Sequence, residues 1–296
     1  MKIFVTGATG YIGSAAASRL LEKHTVIGLA RSEEAADKLR KHGVTPYRGD
    51  LKQPESLSDA IRSCDGVVSI GTTNDGLLDR AAITLVLELL KGTEKPMVYT
   101  SGVWVLGDTG GQVMDESAPV NPAALVAWRP GVEQLVLAAA ADNVRAIVIR
   151  PGIVYGRGGG IAADFIQSAQ KSGAARYVGT GENRWPVVHV DDLADLFAIA
   201  MDRASAGSLY HAADGSAHRV KEIAEAASFG AGAGGWTESW PLAEARKTLG
   251  PYADVLVLDQ QVSAEKARRE LAWSPHRPSI LEDLRRGSYS FHKVSN

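Results

Sequence analysis

The chain has 296 residues, of which 45% are hydrophobic and 22% charged, and its formal net charge is -2. This is the balance of an ordinary globular protein, and the length suits one large domain or a nucleotide-binding domain with a smaller companion. Because no run of lysine and arginine stands out, composition gives no reason to expect nucleic acid or an anionic membrane as partner.

Short apolar runs alternate with helical stretches through the first half of the chain. The predicted strands are Lys2–Thr6, Thr25–Ala30, Val44–Tyr47, Gly66–Ile70, Pro96–Thr100 and Arg145–Arg150. The predicted helices between them are Ser14–Lys23, Glu33–His42, Pro54–Cys64, Asp79–Lys91 and Leu125–Ala141. This alternation predicts an α/β fold of the Rossmann type, with a doubly wound parallel sheet, and a dinucleotide-binding domain over residues 1–155.

The pattern changes after Pro151. Glycine-rich segments at Gly156–Gly160 and Ser228–Gly235 are predicted as loops, the first of them mobile. Later elements are predicted at Ala162–Lys171, Ala175–Tyr177, Asp191–Met201, Ser263–Leu271 and Ile280–Tyr289, of which only the second is a strand. We expect residues 156–296 to form a smaller C-terminal substrate-binding lobe that is interleaved with the end of the sheet.

The segment GATGYIG, residues 7–13, joins the first predicted strand to the first predicted helix. Gly7 permits a tight turn, Gly10 lets backbone approach a pyrophosphate, and Gly13 allows close packing of helix and strand. The helix N-terminus would offer unpaired N–H groups to the phosphates. Cofactor contacts are therefore predicted from this loop at Gly7, Thr9, Gly10, Tyr11 and Ile12.

The end of the second strand bears on the choice of cofactor. Sites for NAD usually carry a carboxylate there, which holds the ribose hydroxyls. Here the residues are Arg31 and Ser32, and a guanidinium pairs well with a 2′-phosphate. The sequence favours NADP(H) over NAD(H), with a solvated arginine beside a helix cap as the alternative.

Several motifs together resemble one family. They are TGATGYIG at 6–13, Gly49-Asp50-Leu51, PGIVYG at 151–156, HVDDL at 189–193 and SAEKARREL at 263–271. The chain resembles the extended short-chain dehydrogenase/reductase superfamily, in its NAD-dependent epimerase/dehydratase group. The resemblance implies that Asp50 and Leu51 lie against the adenine and that Ile70 and Gly71 lie along the ribose and phosphates. It also implies that Pro151 and Ile153 border the nicotinamide.

The same resemblance locates the catalytic positions, and there the chain departs from the family. Active members carry a serine or threonine after the fifth strand and a Tyr-x-x-x-Lys on the next helix. Leu125 and Arg129 occupy the tyrosine and lysine positions, and Gly102 occupies the hydroxyl position, with Ser101 just before it. The resemblance therefore implies an atypical member in which Arg129 keeps the ribose contact. Ser101, Arg129 and Tyr155 are the candidate catalytic residues.

Three aromatic residues, Trp104, Trp128 and Tyr155, fall in segments expected to line the substrate pocket, with packing in the core as the alternative. Such a pocket suits a small carbonyl or alcohol substrate. The sequence predicts an NADP(H)-dependent oxidoreductase. Two alternatives stay open: a catalytically silent NADP(H)-binding redox sensor, and an NAD-dependent sugar-nucleotide epimerase or dehydratase with a relocated acid or base. The resemblance also offers the helix Leu125–Ala141 as a surface for a homodimer.

The remaining sequence features mainly predict which sites and segments are absent. Cys64 is the single cysteine and lies in an apolar stretch, which favours a core position and a reducing compartment. The seven histidines show no ligand-like spacing, so no metal is predicted. His189 is interpreted as structural, with Asp191 capping the following helix. Because a strand begins at Lys2 and the longest apolar helix is short, we expect a cytoplasmic protein without a signal peptide or membrane span.

Overall fold

A computed structural model describes residues 1–290. The first part of the chain alternates strands and helices as expected. Its elements are β1 Lys2–Thr6, α1 Tyr11–Leu21, β2 Thr25–Ala30, α2 Glu33–Lys41, β3 Thr45–Arg48, α3 Ser58–Ser63, β4 Gly66–Ser69, α4 Gly76–Leu90, β5 Pro96–Thr100, β6 Val113–Met114, α5 Arg129–Ala138 and β7 Arg145–Pro151.

The second part contains shorter strands and more helices. Its elements are β8 Ile153–Tyr155, α6 Ala162–Ser172, β9 Ala175–Val178, β10 Arg184–Trp185, β11 Val187–His189, α7 Val190–Arg203, β12 Ser208–Ala212, β13 His218–Arg219, α8 Val220–Gly230, β14 Thr237–Trp240, α9 Leu242–Leu249, α10 Tyr252–Leu256, β15 Gln261–Val262, α11 Glu265–Leu271 and α12 Ile280–Arg286. No helix within residues 1–290 is both long and apolar enough to cross a membrane.

Seven parallel strands form the central sheet, in the order β12-β7-β5-β4-β1-β2-β3. This confirms the predicted α/β fold with a Rossmann-type sheet. The strand order reverses between β1 and β4, so the ends of these two strands form the switch point where open α/β sheets bind ligands. The last strand, β12, comes from the part of the chain that also builds the second lobe, and it pairs with β7.

Helices cover both faces of the sheet. Apolar residues of α1 and α7 pack on one face, among them Leu20 and Phe197, and residues of α3, α4 and α5 pack on the other, among them Ile61 and Val136. Cys64 is buried in the second layer, as its apolar surroundings predicted. A separate core in the second lobe joins α6, α8 and α12.

The predicted helix Leu125–Ala141 is wrong in extent. The α-helix begins at Arg129 and ends at Ala138, with 3₁₀ turns at Ala124–Val126 and Ala139–Asp142. Pro130 explains the late start, because it has no N–H to donate to the carbonyl group four residues earlier. The apolar pattern alone did not reveal this break.

Among the smaller boundary differences, two lie in the second lobe. Helix α8 continues to Gly230, so the predicted loop Ser228–Gly235 begins only at Ala231. Helix α12 stops at Arg286, because Gly287 follows and the carboxylate of Asp283 accepts a hydrogen bond from the N–H of Ser288. Both are helix ends, where local sequence signals are weakest.

Candidate functional site

The loop between β1 and α1 is shaped by glycines. Gly7 has a φ of 73°, and a Cβ atom there would lie 2.6 Å from the backbone nitrogen of Gly71. A Cβ atom on Gly13 would lie 2.0 Å from the carbonyl oxygen of Gly7. Gly10 is the N-cap of α1, and within residues 1–290 no side chain caps this helix. The free N–H groups and the positive end of the helix dipole fit the pyrophosphate of a dinucleotide.

The loop between β1 and α1, residues 7–13, is here called the phosphate loop. It is held against the end of β4. Thr6 Oγ1 accepts hydrogen bonds from the N–H groups of Ile70 and Gly71, each at 3.2 Å. Leu51 lines a shallow cleft together with these two residues, and Asp50 Oδ1 accepts a hydrogen bond from the N–H of Lys52 at 3.0 Å. Leu51, assigned to the adenine, therefore lies beside Ile70 and Gly71, assigned to the ribose and phosphates, although β3 and β4 are separated by two strands in the sheet.

Arg31 and Ser32 follow β2 at the corner of the sheet. Ser32 Oγ accepts a hydrogen bond from the N–H of Ala35 at 3.1 Å and so caps α2. Arg31 is exposed. Arg48 lies opposite Ala30 in the register of β2 and β3 and brings a second exposed arginine to this corner. Sequence analysis missed Arg48 because it ended that strand one residue too early.

A cavity of about 280 Å³, here called the central cavity, lies at the carboxyl edge of the sheet beside the phosphate loop. Seven predicted site residues line it: Tyr11, Ile12, Ser101, Trp104, Arg129, Pro151 and Ile153. Gly102, Gly152 and Val154, from segments that the resemblance also placed at the site, line it too, whereas sequence analysis missed Thr100, Val103, Val126, Gly160 and Ile161. Most of these are small or apolar residues at the ends of elements, where no sequence pattern separates a cavity wall from the core.

Arg129 lies between the central cavity and the shallow cleft at the end of β4. It lines both the central cavity and the shallow cleft beside Gly71. Its Nη1 donates a hydrogen bond to the carbonyl oxygen of Thr100 at 3.0 Å, and its guanidinium lies 4.9 Å from the ring centre of Trp128. A cation fixed here can reach a ligand that passes from the cleft into the cavity.

Three consecutive residues at the end of β5 carry buried hydroxyl groups. Tyr99 Oη, Thr100 Oγ1 and Ser101 Oγ have no hydrogen-bond partner among residues 1–290. Burial raises the pKa of Tyr99 to about 12, and the nearby Arg129 opposes this shift. A buried hydroxyl without a partner destabilises a protein by about 1–3 kcal/mol, which a hydrogen bond to a ligand offsets. Thr100 and Ser101 both line the central cavity.

Tyr155 lies outside the set of residues that line the central cavity. Its side chain is 1% exposed, and its hydroxyl donates a hydrogen bond to the carbonyl oxygen of Pro278 at 2.8 Å. Its ring packs edge-on against His189, with 5.2 Å between ring centres. Burial raises the pKa of its phenol well above the ordinary value. This geometry gives Tyr155 a structural role, and we do not carry it forward as the proton donor or as a pocket residue.

His189 caps helix α7, which corrects the assignment of that role to Asp191. Nδ1 of His189 accepts a hydrogen bond from the N–H of Asp191 at 3.1 Å. Burial lowers the pKa of this imidazole, so it is neutral at neutral pH. The Asp191 carboxylate instead pairs with Arg157 at 2.6 Å. His189 is structural, as the sequence interpretation held.

The predicted mobile loop Gly156–Gly160 is anchored in the structure. Tyr11 donates its hydroxyl to the carbonyl oxygen of Gly156 at 2.7 Å, and Tyr289 donates to that of Gly159 at 2.5 Å. A Cβ atom on Gly159 would lie 2.5 Å from the ring of Tyr11. The loop therefore packs directly on the start of α1, beside the phosphate loop.

The two tryptophans predicted for the pocket lie in different places. Trp104 lines the central cavity and packs edge-on against Tyr252, with 6.2 Å between ring centres. Trp128 lines the shallow cleft, and a Cβ atom on Gly76 would lie 2.6 Å from its Cγ. Trp104 therefore lines the central cavity, whereas Trp128 lies beside Ile70 and Gly71, which the resemblance assigned to the cofactor.

Among residues 1–290, one cluster of acidic and histidine side chains has its ligand atoms close enough together to hold a metal ion. Ligand atoms of Asp192, Asp195 and His276 lie within 4.8 Å of one another. The carboxylate of Asp192, however, already accepts hydrogen bonds from the N–H groups of His276 and Arg277, at 3.2 and 3.1 Å. Asp195 pairs with Arg19. We interpret the group as structural, and the expectation of no metal stays a prediction.

Comparison with known proteins identifies the family. The sequence model of the NAD dependent epimerase/dehydratase family matches residues 3–213. The chain belongs to this family. The match confirms the resemblance seen in the sequence motifs, and it covers the seven-stranded sheet up to the end of β12.

Relatives extend over the whole chain. A Schizosaccharomyces pombe protein described as uncharacterized is 35% identical over 98% of this chain and 100% of its own length. The 2-alkyl-3-oxoalkanoate reductase of Stenotrophomonas maltophilia is 28% identical over 97% and 98%. A Stigmatella aurantiaca ketoreductase of a farnesyl dihydroquinoline oxide is 28% identical over 73% and 69%.

Solved structures share the fold at lower identity. The dTDP-glucose 4,6-dehydratase of Bacillus anthracis, in complex with NAD, is 19% identical with a TM-score of 0.80, over 97% of this chain and 95% of that chain. The UDP-glucose 4-epimerase of Thermus thermophilus, also in complex with NAD, is 21% identical with a TM-score of 0.80, over 99% and 100%. Both of these structures were solved with NAD bound, and the loop at residues 7–13 of this chain has the glycine geometry that fits a dinucleotide.

Proposed function

We propose that this protein is an NADP(H)-dependent oxidoreductase that interconverts a carbonyl compound and its alcohol. The observation that carries the proposal is the central cavity itself. It lies at the carboxyl ends of β5 and β7, beside the start of α1, and a buried hydroxyl and a guanidinium line its otherwise largely apolar wall. An apolar cavity with a few convergent polar groups is the usual form of a small-molecule site.

Relatives support this chemistry over sugar-nucleotide epimerisation. Two of them are named as reductases of ketones, one acting on 2-alkyl-3-oxoalkanoates and one on a farnesyl dihydroquinoline oxide. The sugar-nucleotide enzymes resemble this chain at 19–21% identity, which supports the shared fold but not a shared substrate.

Two arginines support NADP(H) as the cofactor. Arg31 follows β2, and Arg48 stands beside the end of the same strand. A 2′-phosphate on the adenosine ribose would meet guanidinium groups at this corner, where NAD sites present a carboxylate. Ser32 is committed to the cap of α2, so we assign the recognition of the phosphate to the arginines.

Ser101 and Arg129 would divide the work of the missing tyrosine and lysine. The cofactor, when bound, supplies or accepts the hydride. Ser101 would donate a hydrogen bond to the substrate oxygen, and water would deliver the proton, because a serine hydroxyl alone is a weak acid. Arg129 would hold the nicotinamide ribose and favour negative charge on the substrate oxygen. The apolar wall would align the two reactants, which alone lowers a barrier by about 7–11 kcal/mol in favourable cases.

The first test is equilibrium binding of NADPH, NADP⁺, NADH and NAD⁺ to the purified protein by calorimetry. We expect NADPH to bind more tightly than NADH. The variant Arg31→Ala should weaken NADPH binding by about 10- to 100-fold, the equivalent of a charge-assisted hydrogen bond, and leave NADH binding nearly unchanged. Arg62→Ala removes an exposed arginine at the opposite edge of the sheet and serves as the control. An equal preference for NADH in the wild type would contradict the NADP(H) assignment.

The second test is turnover of simple ketones with NADPH. Reproducible oxidation of NADPH that depends on the ketone supports the oxidoreductase. Tight NADPH binding without turnover of any carbonyl substrate would contradict it and favour the redox sensor.

A further inference from the structure

A second and larger cavity lies in the C-terminal lobe. Its volume is about 620 Å³, within the range of about 300–1,000 Å³ typical of ligand pockets. Helix α6, strands β9 and β14, and helix α10 contribute to its wall. Aromatic and aliphatic side chains predominate, including Phe165, Tyr177, Val178, Trp185, Trp240, Tyr252 and Leu256. We call it the lobe cavity.

The charges of the lobe cavity are unsuited to an anionic ligand. Arg176 is paired with Glu238 at 2.9 Å and lies over the ring of Trp240. Asp164 adds a carboxyl group to the wall, and partial burial raises its pKa. The remaining lining cation is Lys171, whose side chain is exposed. A diphosphate would meet a neutralised guanidinium and a carboxyl group, and this arrangement disfavours a nucleotide.

The lobe cavity adjoins the central cavity. Ile161 lines both of them. Trp104 from the central cavity and Tyr252 from the lobe cavity are in edge-to-face contact, 6.2 Å between ring centres. A ligand that extends from one cavity to the other would pass these three side chains, one aliphatic and two aromatic.

We infer that the substrate is an amphiphilic ketone, whose carbonyl group occupies the central cavity and whose alkyl chain or hydrophobic ring occupies the lobe cavity. The inference rests on the proposed function and defines its substrate class. Burial of the chain supplies binding free energy remote from the reacting carbon, which is available to orient the carbonyl group.

A homologous series of methyl ketones from butan-2-one to undecan-2-one, each with NADPH, tests the inference. We expect kcat/KM to rise about three- to fourfold for each added methylene until the lobe cavity is filled, as the burial of one CH₂ group predicts. Replacing Ile161 by Phe should narrow the passage between the two cavities, so that kcat/KM no longer rises with chain length. Ile161→Ala should retain this rise. Turnover that is independent of chain length in the wild type overturns the inference and leaves the oxidoreductase assignment intact.

A binding measurement separates the cavity from the chemistry. In 11-bromoundecan-2-one the heavy atom at the chain end quenches tryptophan fluorescence at short range. Quenching should fall when Trp185 and Trp240 are replaced by Phe, and persist when the exposed Trp236 is replaced by Phe. If these tryptophans are quenched but no ketone is turned over, the apolar site stands and the proposed oxidoreductase is overturned. If the two cavity tryptophans contribute nothing to the quenching, the inference itself is overturned.

Discussion

At the scale of single residues, the proposed oxidoreductase depends on how Ser101 meets the substrate oxygen. Ser101 is 7% exposed and its hydroxyl is without a partner among residues 1–290. Gly102, which the sequence resemblance aligns with the hydroxyl position, has a φ of 178°, an extended conformation that any residue adopts. A Cβ atom on Gly102 would have Pro151 O at 3.9 Å as its nearest neighbour, so a side chain fits there.

These two positions give a paired prediction. Ser101→Ala should lower kcat by about 100-fold, the lower end of the effect of removing one hydrogen-bond donor to a developing oxyanion, and leave the Kd of NADPH unchanged. Adding Gly102→Ser to that variant should recover at least part of the loss, because the hydroxyl returns one residue away. Steady-state kinetics with a fixed ketone checks both. An Ser101→Ala enzyme with wild-type kcat would remove Ser101 from the mechanism.

At the scale of elements, one buried ion pair fixes the helix that carries Arg129. Glu133 on α5 accepts two hydrogen bonds from Arg150 on β7, from Nε at 2.9 Å and from Nη2 at 2.6 Å. Both side chains are almost fully buried. The pair therefore sets the position of α5 against the carboxyl end of β7, one helical turn from the guanidinium of Arg129.

Removing one partner of this ion pair should destabilise the protein more than removing both partners. Arg150→Met leaves the Glu133 charge buried and unpaired, and should lower the free energy of unfolding by about 3–5 kcal/mol. The double variant Glu133→Leu/Arg150→Met should lose clearly less than the sum of the two single variants. Urea denaturation of all four proteins measures the coupling. Strict additivity would mean that the pair does not couple α5 to β7.

At the scale of the whole molecule, buried histidines link folding to pH. His211 on β12 is fully buried, and burial, followed by the charge of Arg150, lowers its pKa to about 3. In the unfolded chain a histidine has a pKa near 6.5. The unfolded state therefore binds more protons below pH 6.5. Because the folded protein keeps His211 neutral, the contribution of this residue to the free energy of unfolding is fully present above pH 6.5. It is lost as the pH falls from about 6.5 toward 3.

Stability should decline with acid by up to about 1.4 kcal/mol per pH unit from this one residue. His211→Gln should reduce the slope between pH 6.5 and 4.5, even if the variant is less stable at pH 7. The buried carboxyl of Glu116 bonds to the N–H of His211, and burial raises its pKa, which opposes the trend in both proteins alike. Urea midpoints across this range measure the slope, and His42→Gln, at an exposed position, should leave it unchanged. An unchanged slope in His211→Gln would contradict the buried neutral histidine.

The sequence by itself determined the sheet, the phosphate loop and the family, because these depend on local features. Buried parallel strands have continuous apolar runs such as Lys2–Thr6. A tight turn from strand to helix that can hold a pyrophosphate requires glycines, here Gly7 and Gly13. The tertiary structure alone decided that Tyr155 is bonded to Pro278 and that Arg48 joins Arg31. It also decided that two cavities meet at Ile161. Each of these depends on segments far apart in the chain, whose contacts follow from packing and leave no periodic signal in the sequence.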